Sequence, residues 1–305
     1  FFSRSAAALA SFYDVERVEV LRCPQGTLYG RNATGGSVNI LTNRPTFSTK
    51  AGVSLTYGNY DTVNAEAYYS TGLSDTVAMR VAGQIQNHSG YGENRLTGAD
   101  VDNKHSQAVR GQLLFEPNER LTILVGADYY NQKDRSNTYH YFGPAGFTAA
   151  GALVTPTGLL LGGFDPGPRN VASVRNPSNN AEFWGARADI SYELTDGFSL
   201  RSLSAYRSSD FLVESDLNPI GVNLFPIDFG ETSDEYSQEL QLNLDTDRHK
   251  LVVGAFYMHE NIDGFIKGPL NLRAVGGPDL FVQGFYSGGR LKTDAAAVFA
   301  QDRYS

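Results

Sequence analysis

The stretch that decides the fold runs from Val15 to Pro45 and reads VERVEVLRCPQGTLYGRNATGGSVNILTNRP. Val15, Val18 and Val20 alternate with Glu16, Arg17, Glu19 and Arg22. That spacing predicts a short strand with one apolar and one charged face. A Pro-Gln-Gly turn follows, then Tyr29-Gly30, the Gly35-Gly36 pair and a second short strand, Ser37 to Thr42. Gly26, Gly30, Gly35 and Gly36 allow tight turns and close backbone approach.

Beyond Pro45 the period becomes two. Val53, Leu55 and Tyr57 share one face, and Val77, Met79, Val81 and Ile85 oppose Arg80, Gln84 and Gln86. From Trp184 to Leu194, Trp184, Ala186, Ala188, Ile190, Tyr192 and Leu194 alternate with Arg187, Asp189, Ser191 and Glu193. Such dyads mark strands with one apolar and one polar face. Ten strands are predicted, at about 50–58, 61–71, 75–88, 105–115, 119–131, 181–194, 197–213, 232–244, 249–260 and 294–304. Their connections alternate. Short turns at 72–74, 116–118, 195–197 and 245–247 are separated by long polar loops at 88–104, 131–180, 214–231 and 261–293. A soluble sandwich has no reason to gather its long loops at one end, whereas an up-and-down membrane barrel does. A strand of about ten residues tilted about 45° rises roughly 23 Å, close to the apolar band of such a barrel. Tyr57, Tyr60, Tyr68, Tyr69, Tyr129, Tyr130, Trp184, Tyr192, Tyr206, Tyr257 and Tyr304 fall near strand ends, where aromatic girdles lie.

The segment from Val15 to Pro45 resembles the C-terminal signature of the plug domain of TonB-dependent outer-membrane receptors. The resemblance implies an all-β chain. Residues 1–46 would be the C-terminal part of a plug, and 47–305 the N-terminal part of a transmembrane antiparallel β-barrel. Ten strands leave two open edges, which hydrocarbon does not tolerate. The large plugged transporters have about 22 strands, so the expectation is a partial barrel. The signal peptide and the TonB-contacting segment would lie outside this sequence. Val18, Val20, Leu28, Val38 and Ile40 would form the plug's small core, with Arg17, Arg22, Arg31 and Arg44 facing the barrel wall. Arg22, Arg31, Arg44 and Glu239 are the expected plug–barrel contacts, with Arg22 paired to Glu239. Cys23 stands where the family's Arg-Gly-Pro pattern has glycine; before Pro24 it is confined to extended backbone, which cysteine adopts.

The resemblance further implies energised uptake of a scarce solute, a ferric siderophore being the commonest case. The implied partners are outer-membrane lipid, the ligand and the TonB–ExbB–ExbD complex of the inner membrane. Cobalamin, heme and oligosaccharide remain alternatives within the family. A passive porin is the rival outside it, set aside because a porin has no plug. The ligand-binding candidates are Tyr139, His140, Tyr141 and Phe142, an aromatic cluster in the longest loop; the same four residues suit packing of the loop upon itself.

Other classes lack support. No Gly-x-Ser-x-Gly, His-Glu-x-x-His or Walker loop occurs, so neither an enzyme nor a cofactor is expected. A formal charge of -8 argues against a nucleic-acid binder. One cysteine cannot close an intramolecular disulfide, and no metal site is expected. Three of the five histidines fall in or beside the long loops and read as solvated residues before they read as ligands.

Overall fold

The computed structural model describes residues 12–22, 36–143, 162–222, 224–246, 248–271 and 282–304. Among the described residues fourteen strands make up three sheets. β1 (Val15–Arg22) and β2 (Gly36–Thr42) form a two-stranded ribbon. The large sheet has ten antiparallel strands: β3 (Lys50–Gly58), β4 (Thr62–Gly72), β5 (Val77–His88), β8 (Lys104–Asn118), β9 (Leu121–Asp134), β10 (Ser178–Thr195), β11 (Phe198–Asp216), β12 (Pro226–Asp245), β13 (His249–Asn271) and β14 (Val282–Tyr304). Each pairs with its neighbour in that order, a pure meander. A small hairpin, β6 (Gly92–Asn94) with β7 (Ala99–Val101), sits in the connection between β5 and β8.

Register turns the two-residue period into two chemically different surfaces. Val53, Ala67, Gly83, Val109, Tyr129 and Trp184 lie side by side across six strands on the outer face. On the opposite face Ser70, Arg80, Gln112, Gly126, Arg187 and Ala205 form the parallel row. The outer face carries bare apolar side chains, up to 86% exposed at Val298, while many of the buried residues are polar and lie on the inner face. This inversion of the soluble pattern suits a wall with hydrocarbon outside and a polar lumen inside.

The strands outrun the sequence expectation at the long-loop end. β13 and β14 each have 23 residues and consume most of the segment read as a 261–293 loop, while β12 starts at Pro226. At about 45° such a strand rises about 55 Å, far past a ~25 Å apolar band. Beyond the band both faces meet water, so the dyad that reveals a strand disappears there. Two expected girdle residues also turn inward. Tyr68 lies under the Arg80 guanidinium at 4.2 Å, and Tyr130 stacks on Phe183 at 5.6 Å. Nor do the ribbon's apolar side chains build a core among the described residues: Val18, Val20 and Val38 are 47%, 64% and 61% exposed.

Candidate functional site

Two places concentrate buried charge and unusual backbone. The first is where the ribbon meets the lumen wall. Asp14, just before β1, is fixed by Arg80 of β5, whose Nε donates to Asp14 Oδ2 at 2.8 Å while Nη2 bonds Oδ1. The two side chains are only 2% and 5% exposed. Asn43 closes the ribbon base from the other strand, its backbone N–H donating to Asp14 O at 3.1 Å and its Nδ2 to Asp14 Oδ1 at 3.0 Å. Asp14's own N–H donates to Glu66 Oε1 at 2.8 Å, and Arg110 donates to Tyr13 O at 3.2 Å with its guanidinium 4.4 Å over the Tyr13 ring. Asp14 is held at φ +50°, a left-handed conformation that Asp tolerates better than most residues. Breaking a buried, hydrogen-bonded ion pair by removing one partner costs about 3–5 kcal/mol, which makes this pair the strongest attachment of the ribbon base.

Attachment weakens along the neighbouring strands. With its amide oriented to suit its neighbours, Gln112 donates to Asn43 O at 3.0 Å and accepts from Thr42 Oγ1 at 3.3 Å and Arg187 Nη2 at 3.1 Å. Arg187 also donates to Thr42 Oγ1 at 3.1 Å. Arg44 reaches Asp189 at 3.7 Å, but Asp189 is already held by Arg201 through two bonds of 2.9 and 2.7 Å. Arg207 makes the same two-pronged contact with Asp128, at 2.9 and 3.2 Å. These pairs face a solvated lumen, so each adds about 1 kcal/mol or less.

The second place is a cap of loops at the far end. Val101, Val171, Ala172 and Ile220 are almost wholly buried and come from three different connections. Asn94, also wholly buried, donates to Ser173 O at 2.8 Å and to Asn176 Oδ1 at 2.9 Å, and accepts from Ser173 N at 3.1 Å. Ser173 Oγ donates to Asp216 at 2.9 Å; burial raises the Asp216 carboxyl above its ordinary range, against the bonds from Asn218 and Ser173 and the charge of Arg175. Gly92 lies so close to Arg169 that a Cβ there would fall 1.5 Å from its carbonyl oxygen. The connections are thereby joined into one body with a small core.

In this cap a cavity of about 370 Å³ is lined by Tyr60, Tyr91, Asp102, His140, Pro168 and Arg169. His140 Nε2 and Asp102 Oδ2 are 2.7 Å apart. The Tyr60 and Tyr91 rings meet edge-to-face at 4.8 Å, and Tyr91 stacks on His88 at 4.6 Å. Four non-glycine residues among those described have positive φ: Asp14, Tyr60, Asp61 and Asp102. One anchors the ribbon and three build or flank this cavity. Such strain collects where the surrounding structure enforces it for a purpose.

The expected site residues scatter across these places. His140 lines the cavity, Tyr139 and Phe142 stand exposed beside it, and Tyr141 is half-buried. Arg44 does reach the wall. Arg17 does not: it bonds Glu16 and Glu19 of its own strand, each at 2.7 Å, because two adjacent carboxylates are nearer than any wall group. Glu239 accepts from Gln241 at 2.6 Å, and the described contacts do not bring it to Arg22. Arg31 and Cys23 lie outside the described residues. Sequence reasoning missed Asp14 and Arg110, and took Tyr60, in the short connection Gly58-Asn59-Tyr60, only for a girdle residue. A charged residue in mid-strand, as at Arg80 and Arg110, was the available signal for the first two.

No family model matches the sequence. The ferrioxamine receptor of Yersinia enterocolitica is 28% identical over 200 residues, which are 66% of this chain and 25% of that protein. The vitamin B12 transporter BtuB of Vibrio vulnificus is 28% identical over 150 residues, 45% of this chain and 24% of that one. The solved siderophore receptor PiuA from Acinetobacter baumannii superposes with a TM-score of 0.70 at 13% identity, over 95% of this chain and 45% of that chain. This chain therefore spans about a quarter of the length of the curated relatives and about half that of the solved structures it matches. A polar-lined antiparallel meander, a ribbon fixed to its inner face and the matched sequences agree: the chain's homologues are TonB-dependent outer-membrane receptors.

Proposed function

We propose that the chain serves energised uptake of a ferric siderophore across the outer membrane, with residues 1–46 as the end of a plug and 47–305 as the first part of its barrel. The observation that carries the reading is the buried Asp14–Arg80 pair, which ties the ribbon to the lumen wall. A passive porin has no use for such a tie. The relatives point to the cargo: receptors for ferrioxamine and ferripyoverdine are among them.

The graded attachment suits a plug that must move without being lost. Pairs such as Arg44–Asp189 lie in a wet lumen and part at small cost. The Asp14–Arg80 pair and the Tyr13–Arg110 contact lie on the N-terminal side of the ribbon and resist a pull from that side, so they hold its base. The pulling partner in this reading is TonB–ExbB–ExbD, acting on a segment N-terminal to these residues. His140, with Tyr139, Tyr141 and Phe142 beside it, belongs to the ligand-facing surface, and Arg22, Arg31, Arg44 and Glu239 to the plug–barrel contact. Growth under iron limitation, with the full-length gene deleted and restored, tests the function. Loss of growth on a ferric siderophore, recovered on restoration, is expected; equal growth of both strains would reject it.

A further inference from the structure

We propose that the Tyr60–Tyr91–His140–Arg169 cavity is a subsite for one planar hydroxylated aromatic ring of a catecholate or phenolate chelator. The inference rests on the siderophore reading above and narrows it to aromatic chelators, against purely aliphatic hydroxamates.

The argument begins with the turn. Asn59, Tyr60 and Asp61 join β3 to β4, with Thr62 N donating to Asn59 O at 3.3 Å and with φ of +60° at Tyr60 and +51° at Asp61. Two successive positive values define a type I′ turn, which strongly favours Asn-Gly and disfavours a bulky aromatic. Tyr60 is nevertheless held there. Ser89 N donates to Tyr60 O at 2.8 Å, Ser89 Oγ to Asp61 at 3.0 Å, and Arg169 Nη1 to the Tyr60 hydroxyl at 3.1 Å. The ring still remains 43% exposed, so burial does not explain the strain. The backbone places an aromatic surface at the cavity mouth, opposite Tyr91.

The polar groups define what the ring must carry. Arg169 has no carboxylate partner among the described residues, so its charge is open to an anionic oxygen. His140 Nε2 lies 2.7 Å from the Asp102 carboxylate, and its Nδ1 is buried with no hydrogen-bond partner among the described residues. A polar group of a ligand would satisfy it. At about 370 Å³ the space lies at the small end of the ~300–1,000 Å³ range of ligand pockets, enough for one ring and its substituents but not for a whole three-armed iron chelate. Two tyrosine rings, a guanidinium without a carboxylate partner among the described residues and a buried unpartnered ring nitrogen together fit a planar hydroxylated aryl amide. An aliphatic hydroxamate arm offers no ring to stack.

The test uses the full-length receptor in detergent with two probes, iron(III) bound by 2,3-dihydroxybenzoate and iron(III) bound by acetohydroxamate. Dissociation constants come from fluorescence quenching, and thermal midpoints are recorded in parallel. Tyr60→Asn is the informative variant, because Asn suits positive φ and leaves the turn as stable or more so. Arg169→Gln removes the charge and keeps the length. Each should weaken the aromatic probe about tenfold or more, the loss of one ring contact or one charged hydrogen bond. Neither should change the hydroxamate probe, and Tyr60→Asn should not lower the midpoint. Unchanged affinity in both variants, or equal losses for both probes, overturns the subsite and leaves the receptor reading standing. Failure of the wild-type receptor to bind either probe overturns both.

Discussion

Cutting the Asp14–Arg80 tie should free the ribbon base without unfolding the barrel. Asp14→Asn keeps the left-handed backbone and leaves an amide oxygen for Asn43, but leaves Arg80 buried with only the Tyr68 ring as a described partner. Arg80→Met does the converse, leaving a carboxylate 2% exposed with an amide for company. Each single change leaves one buried uncompensated charge and should cost about 3–5 kcal/mol at the attachment. The double change leaves none, so the two effects should fall short of additive by about 2–3 kcal/mol. Hydrogen exchange at the Asn43 amide reads this locally, since it donates to Asp14 O. Its opening should rise about 100-fold or more in either single variant, while strand amides of β9 and β10 stay protected. Additivity within about 0.5 kcal/mol, or exchange unchanged in the singles, would show that the pair does not hold the ribbon.

Ile190→Arg, on the outer face beside Ile123 and Ser202, should impair assembly at about 2–4 kcal/mol, while Gln241→Arg, on the lumen face beside Glu239, should be tolerated; equal heat-modifiability of the two would refute the register. Burial raises the Asp216 carboxyl, so its contribution is full below the ordinary carboxylate range and is lost as pH rises through the raised value. Proteolysis of the loop cap should therefore be slower within the ordinary carboxylate range than at neutral pH, and Asp216→Asn should flatten that difference; an undiminished difference in the variant would refute it. Gly92→Ala drives a methyl into the Arg169 carbonyl, so it should disrupt the cap and the cavity together while the barrel still assembles. Whole-cell thiol labelling should reach a cysteine placed at Asn137 but not one at Asp196, the opposite result inverting the topology.

The wall was legible because lipid and lumen impose a strict alternation on every strand between them; the ladder from Trp184 to Tyr192 pairs as its dyad requires. Strand length was not, because above the band both faces of β13 and β14 meet water and the alternation stops carrying information. The ribbon was legible as strands but not as attachments. Asp14 and Arg80 are 66 positions apart, and only the register of β5 in the finished sheet brings them together. Arg17 was misjudged because a carboxylate two residues away competes better than a distant wall. Tyr60 read as a girdle residue, since its positive φ depends on bonds from Ser89 that no local pattern announces.

Uptake of radiolabelled iron presented as a ferric siderophore tests the central claim most directly, in cells with the full-length gene deleted and restored, with and without a protonophore. Uptake should require the gene and should stop when the proton-motive force collapses. Gene-dependent uptake that persists under the protonophore would instead mean a passive channel, and uptake indifferent to the gene would remove the receptor role altogether.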